Sequence, residues 1–337
     1  MRAKLIAWAA GLIGLLLAIA LVVMAGSGDI LHVLEIAGWG LFWLGPLHIV
    51  PVLLDALAFR ALLRTRPDAP SLPYVFWVSA VREGVNNLLP VARVGGELAG
   101  IRLLHKRGIP IALGGACVIL LLTLTAIGLY LLTLAGLGLL LSNIPGAKIA
   151  GPAGVVLLAM LPGMALMVAA QRYGNVFERL DRLIEIVTGG HKLLARWVQP
   201  TELDAEIRQF YGRLGLLAVS GTWKFLSLAA EAAEVWVIMY LLHHPVAVWQ
   251  AIVMETMSLA ARGAAFIVPA GVGVQEGSFV LIGQLVGVPA DFAIAISLAK
   301  RFRELLFGVP SILSWQWREG RQLGKVWRTE QSDSNSD

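Results

Sequence analysis

The sequence predicts an all-α polytopic membrane protein with about six spanning helices and two re-entrant hairpins forming an inverted repeat. Three observations carry this. First, 58% of the 337 residues are hydrophobic and 15% charged, with mean hydropathy +0.76; a soluble domain is about half apolar and a quarter charged. Second, the stretch 79–110 returns in outline at 258–289, 179 residues on and without a gap. Third, Lys and Arg gather in alternate short loops, the pattern that orients membrane helices. The net charge of +5 is therefore read as membrane orientation, and nucleic acid is not expected as a partner.

The first span is 5–24, entered from Arg2 and Lys4, which puts the N-terminus in the cytoplasm. Residues 1–25 also fit a signal peptide, but an apolar run of this length exceeds the usual h-region and is long enough to cross. Residues 25–35 carry Asp29 and Glu35 and no Lys or Arg, as expected outside. The second span, 36–63, returns to Arg60, Arg64 and Arg66, with kinks expected at Pro46 and Pro51 and with Asp55 in its inner half.

The first hairpin begins and ends among inside charges, so it must double back. Asn86, Asn87 and Pro90 end its first arm, and Gly95 and Gly96 open the second. Spans follow at 111–141 and 152–170, joined by a loop holding Lys148, the one basic residue placed outside. The polar stretch 171–213 has Val176, Phe177, Leu180, Leu183, Ile184 and Val187 at helical spacing with charges between, a helix expected on the cytoplasmic interface. The span 214–242 then goes out to His243 and His244, the second hairpin starts and ends outside, and the span 290–317 comes back to a cytoplasmic C-terminus. An alternative reading makes 278–299 one ordinary span with 305–317 at the surface. The polar tail 321–337 is expected to be disordered at its end.

The repeat aligns Ser79 with Ser258, Gly84 with Gly263, Pro90 with Pro269, Glu97 with Glu276, Gly108 with Gly287 and Pro110 with Pro289. Backbone-setting Gly and Pro carry most of the match. Units of about 36–141 and 215–320 lie within one domain, 1–320. Three crossings separate the hairpins, so the copies point in opposite directions, a common secondary-transporter plan. A broken backbone at membrane depth is tolerated where protein or a wet cavity surrounds it.

Ionisable side chains at that depth are costly and mark candidate sites. The expected substrate-binding set is Arg82, Glu83, Asn86, Asn87, Arg93 and Glu97 from the first hairpin, Arg262 and Glu276 from the second, and Lys300, Arg303 and Glu304 from the last span. Arginine would grip a lipid phosphate through its planar fork. The competing reading is that these residues pair with one another to close the hairpins. Deep in the last span, Lys300, Arg301, Arg303 and Glu304 would have to meet Glu276, Glu255 or Glu234. Asp55, Glu231, Glu234 and Glu255 are candidates for coupling protons to transport, or for plain helix contacts. Cys117 is the one cysteine, so no internal disulfide is possible. No Cys/His cluster, HExxH, GxSxG or phosphate-cradling loop occurs, so no metal, cofactor or enzymatic activity is expected.

The motifs REGVNNLLPVARVGGE (82–97), FIVPAGVGVQEGSF (266–279) and AKRFRELLFGVPSIL (299–313) resemble the flippase-like membrane domain of lysylphosphatidylglycerol synthases, and within that family the hopanoid-biosynthesis-associated HpnL subfamily. The resemblance covers about 5–320. It implies a protein of the bacterial inner membrane that moves or handles lipids, with hopanoid or anionic phospholipid as partner. The synthases continue into an aminoacyl-transfer domain; here a short polar tail follows, so that chemistry is not expected. A non-transporting scaffold for hopanoid-pathway proteins, docked through 171–213, is the alternative, and a membrane enzyme acting on headgroups ranks below both.

Overall fold

The computed structural model describes residues 38–89, 94–147, 150–187, 199–264 and 273–334. The expected first span, Asp29, Glu35, Pro90, Arg93, Lys148 and Pro269 lie outside these residues. A 3-10 turn, Gly38–Trp43, leads into α1 (Leu44–Leu63). Then come α2 (Leu72–Leu88), α3 (Gly95–His105), α4 (Ile111–Asn143), α5 (Ala150–Tyr173), α6 (Val176–Val187), α7 (Pro200–Tyr211), α8 (Leu214–Leu241), α9 (Val248–Ala264), α10 (Val274–Leu285) and α11 (Ala290–Ser334).

Both broken segments are antiparallel helical pairs. In the first, Tyr74 bonds the Leu103 carbonyl and Arg82 meets Glu97. In the second, Gln250 bonds the Val286 carbonyl and Ser258 meets Ser278. The helix starts repeat: Gly95 and Val274 are 179 residues apart, as are Ile111 and Ala290. The turns between them repeat too. Gly108 and Gly287 hold φ of 84° and 83°, a left-handed helix end that glycine adopts without strain. Ile109 N–H bonds the Leu104 carbonyl, and Val288 N–H bonds the Gly283 carbonyl, its counterpart 179 residues on. Pro110 and Pro289 then open the next helices. The turn at 286–289 breaks 278–299 into two helices, so the reading of one ordinary span there does not hold.

The repeat-related helices α1 and α8 pack side by side and run antiparallel. Ser220 bonds the Ala58 carbonyl, Lys224 meets Asp55, Ser227 bonds the Pro51 carbonyl and Glu234 meets His48, the one chain descending as the other rises. Around this pair, α2 packs on α11 and α9 packs on α4, matched contacts across the repeat. Pro46 falls in the first turn of α1, where its missing N–H costs nothing. The change of backbone comes earlier, from the 3-10 turn into the α-helix at Leu44.

Among the described residues, three helices are long and apolar enough to cross a membrane: Gly38–Leu63, Ile111–Asn143 and Gly151–Tyr173. In the last of these Val155, Val156, Leu158 and Leu166 are exposed though apolar, as lipid-facing side chains are. Helices α8, of 28 residues, and α11, of 45, are also long enough but carry charge. Two apolar cores lie apart. One gathers the end of α1, α2, the start of α4 and α7; the other gathers the start of α1, the end of α4, α9 and the start of α11. On α1, α8 and α11 the buried ionisable residues, His48, Glu234, Lys300, Arg301, Arg303 and Glu304, fall between or at the edges of the segments that feed these cores.

The stretch 171–213 differs from a single surface helix. It holds α6 and α7, and Asp204 on α7 accepts from the Phe177 and Glu178 N–H groups that open α6. Leu203, Ile207 and Phe210 are buried in the first core, while Leu180, Leu183 and Ile186 on α6 are exposed. The tail also differs. Helix α11 runs on through Ser334, because no proline or glycine follows Gly324 to stop it.

Near the C-terminal end of α3, Glu319 of α11 accepts from Lys106 at 2.5 Å and Arg102 at 3.3 Å. Burial alone would raise this carboxyl, but the Lys106 and Arg102 charges outweigh it and hold it below the usual carboxylate range. A depressed carboxyl stabilises the fold above its ordinary pKa of about 4.3, and loses that contribution as pH falls through the lowered value. The stability gap between wild type and Glu319→Gln is therefore expected at pH 7 and should close under acid titration, followed by thermal melts.

Candidate functional site

The first hairpin closes around Arg82, which is buried. Its Nε and Nη2 donate to Glu97 Oε2 at 2.9 and 2.6 Å, and its Nη1 lies 3.4 Å from Asp55 Oδ2. Asp55 also accepts from Lys224 at 2.6 Å and Ser79 at 2.8 Å. Asn86 ties the turn, donating to Glu97 Oε1 at 3.2 Å and accepting from the Gly96 N–H at 2.9 Å. A Cβ at Gly96 would run into the Arg82 carbonyl and Asn86, and one at Gly100 into the Arg82 side chain. Small residues thus let α3 approach closely enough for the pair to form. Here two cations meet two carboxylates, which matches the pairing reading of Arg82, Asn86, Glu97 and Asp55.

The second network joins α1, α2, α8, α9, α10 and α11. His48 on α1 is 2% exposed. Its Nε2 lies 2.7 Å from Glu83 Oε1 and its Nδ1 2.6 Å from Glu234 Oε1. Arg303 donates through Nη1 to Glu234 Oε2 at 2.5 Å. Lys300 donates to Glu255 Oε1 at 2.5 Å, both fully enclosed. Asn87 lies 3.4 Å from Glu83 Oε1. Glu276 accepts from the Gly273 N–H at 2.7 Å, which opens α10 at its positive end, and lies 3.5 Å from Arg301. Glu231 is half-buried between these groups.

Three guanidiniums converge on one carboxylate. Glu304 lies 3.1 Å from Arg301, 3.5 Å from Arg262 and 3.8 Å from Arg303. Arg262 Nε, Arg301 Nη2 and Arg303 Nε are buried with no hydrogen-bond partner among the described residues. Glu304 Oε1 is likewise buried without a hydrogen bond; buried polar atoms normally have partners, which makes this cluster the candidate for binding a further polar group. Beside the network, Phe307 packs edge-on to His48 at 5.0 Å and lines a groove of about 270 Å³ between α2 and α11 with Phe76, Trp77 and Leu306.

The structure thus divides the expected set. Arg82, Asn86 and Glu97 join the first network with Asp55. Glu83, Asn87, Arg262, Glu276, Lys300, Arg303 and Glu304 join the second with Glu234 and Glu255. Arg301 was expected only as a charge on the last span, and it stands among the site's cations. His48 and Lys224 were not singled out. A lone histidine and a lone lysine inside apolar spans were the available signal. Among the described residues, no three His, Cys, Asp or Glu side chains are grouped to hold a metal.

A family model described as the lysylphosphatidylglycerol synthase TM region matches residues 11–311. No curated protein and no solved structure matches the chain.

Proposed function

The chain belongs to the lysylphosphatidylglycerol synthase transmembrane-region family, and from that premise we propose that it moves lipids across a bacterial inner membrane without modifying them. The observation that carries this reading is the Arg262–Arg301–Arg303 cluster around Glu304, with its three unpartnered N–H donors. A phosphate offers the several acceptor oxygens those forks require. The ligand is then an anionic phospholipid headgroup, with the groove between α2 and α11 receiving apolar chain.

The antiparallel packing of α1 and α8 supports an inverted-topology repeat. In that reading the two hairpins are re-entrant from opposite faces and the site sits where the halves meet, in the manner of secondary transporters. The charged layer between two apolar cores suits a site near mid-membrane. Asp55, Glu231, Glu234 and Glu255 remain candidates for coupling, and a hopanoid is the alternative cargo that the resemblance to HpnL implies. The second reading, a scaffold docked through 171–213, draws on the exposed Leu180, Leu183 and Ile186; a bilayer interface accounts for the same side chains.

Reconstitution tests this. Vesicles containing purified protein and a fluorescent phosphatidylglycerol should lose inner-leaflet signal to an external quencher faster than empty vesicles. Unchanged loss with monodisperse, folded protein would rule transport of that lipid out. Retained movement after replacement of the exposed Leu180, Leu183 and Ile186 by serine would count against the scaffold reading.

A further inference from the structure

We propose that His48 is a proton-binding site, and that its proton decides whether Arg303 is free to take the anionic headgroup. This rests on the headgroup reading above and adds the coupling ion to it.

The geometry is a choice between two bonding patterns. His48 Nδ1 lies 2.6 Å from Glu234 Oε1 and 2.9 Å from Arg303 Nη1. Only a nitrogen that carries hydrogen donates to a carboxylate, and only one without it accepts from a guanidinium. With a proton on both ring nitrogens, His48 donates to Glu234 through Nδ1 and to Glu83 through Nε2. Arg303 Nη1 then keeps its bond to Glu234 Oε2 but loses its acceptor at Nδ1, and it faces a second positive charge. Without the Nδ1 proton, Arg303 donates to His48 and Glu234 together and is held in place.

The other groups around His48 fit a proton site. On α2, Glu83 makes no close ion pair with a lysine or arginine among the described residues; its hydrogen-bond partners are His48 and Asn87, and the Arg303 charge acts on it from farther off. Its side chain is 31% exposed, whereas those of His48 and Glu234 are 3% and 1%. Glu83 is thus the open end of a three-membered relay, with the proton passing from water to Glu83, to His48 and on to the Glu234 contact. On α8 the facing group is Glu234. On α11 it is Arg303, with Glu304 beyond it at 3.8 Å. Helix α4, also packed on α1, has no charged residue. By contrast Asp55, Glu234 and Glu255 each hold a lysine or arginine, so protonating one of them would break an ion pair.

A proton on His48 and an anion at Arg303 therefore favour each other, and linkage makes the effect mutual. The test is calorimetric titration of the full-length detergent-solubilised protein with dioctanoyl-phosphatidylglycerol, in buffers of different ionisation enthalpy, from pH 6 to 10. The wild type should take up about one proton per lipid bound, and its affinity should fall by up to about tenfold per pH unit as His48 loses its proton. His48→Gln should bind with no proton uptake and a flat pH profile. Glu83→Gln, which keeps the imidazole, should move the wild-type profile to lower pH. Proton uptake unchanged in His48→Gln overturns the proposal and leaves the headgroup site standing. No binding to the wild type at any pH overturns the headgroup site, and the proposal falls with it.

Discussion

Replacing Arg303 by alanine is expected to destabilise the protein by about 3–5 kcal/mol, the usual cost of stripping one partner from a buried ion pair. Arg303 is 2% exposed and Glu234 is fully buried. The variant would leave the Glu234 carboxylate with His48 alone and remove one of the three cations around Glu304. Thermal unfolding of the detergent-solubilised protein, read by tryptophan fluorescence, measures the loss. Adding Glu234→Gln should recover part of it, because the double variant no longer buries an orphaned charge. Arg102→Ala is the control. Its side chain is 63% exposed and its pair with Glu319 is long, so it should change stability by less than about 1 kcal/mol. An Arg303→Ala protein as stable as wild type would mean that the second network is not sealed from water.

Gly84→Leu should be nearly as damaging, by a different mechanism. A Cβ at Gly84 would lie 3.0 Å from the Gly308 carbonyl oxygen and 3.2 Å from the Gly308 Cα. Both neighbours are backbone and cannot rotate away. Helices α2 and α11 cross here on two glycines, the small-residue contact that lets membrane helices approach. Overpacking of a tight site costs about 1–3 kcal/mol. Here the separation would also pull Glu83 on α2 from the network that Arg303 on α11 shares. Size-exclusion profiles and melting curves should show a broadened, less stable species. Gly154→Leu, at a position with nothing within 4 Å, should behave as wild type.

The hairpins show what was legible in the chain. Gly108 and Gly287, each two residues before a proline, mark left-handed helix ends that few other residues adopt, and the structure turns at both. The pairing of the last span's charges was also legible. Once 290–317 was read as continuous, Lys300 and Arg303 had only the carboxylates of neighbouring helices to meet, and they meet Glu255 and Glu234. The polar tail was less legible. Its composition suggested disorder, but nothing in it stops a helix already under way.

His48 shows the opposite limit. Its partner Glu234 is 186 residues distant in sequence, and no periodicity within α1 points to it. Hydrophobic composition, loop charge and the spacing of Gly and Pro determined a helical membrane protein with two broken, repeated segments, because those signals act over one or two turns of chain. Tertiary structure decided which charges neutralise one another and which guanidinium N–H groups are left open. Those outcomes depend on the crossing of α1, α2, α8 and α11 within a few ångströms, a distance set by side-chain packing and not by any local run of residues.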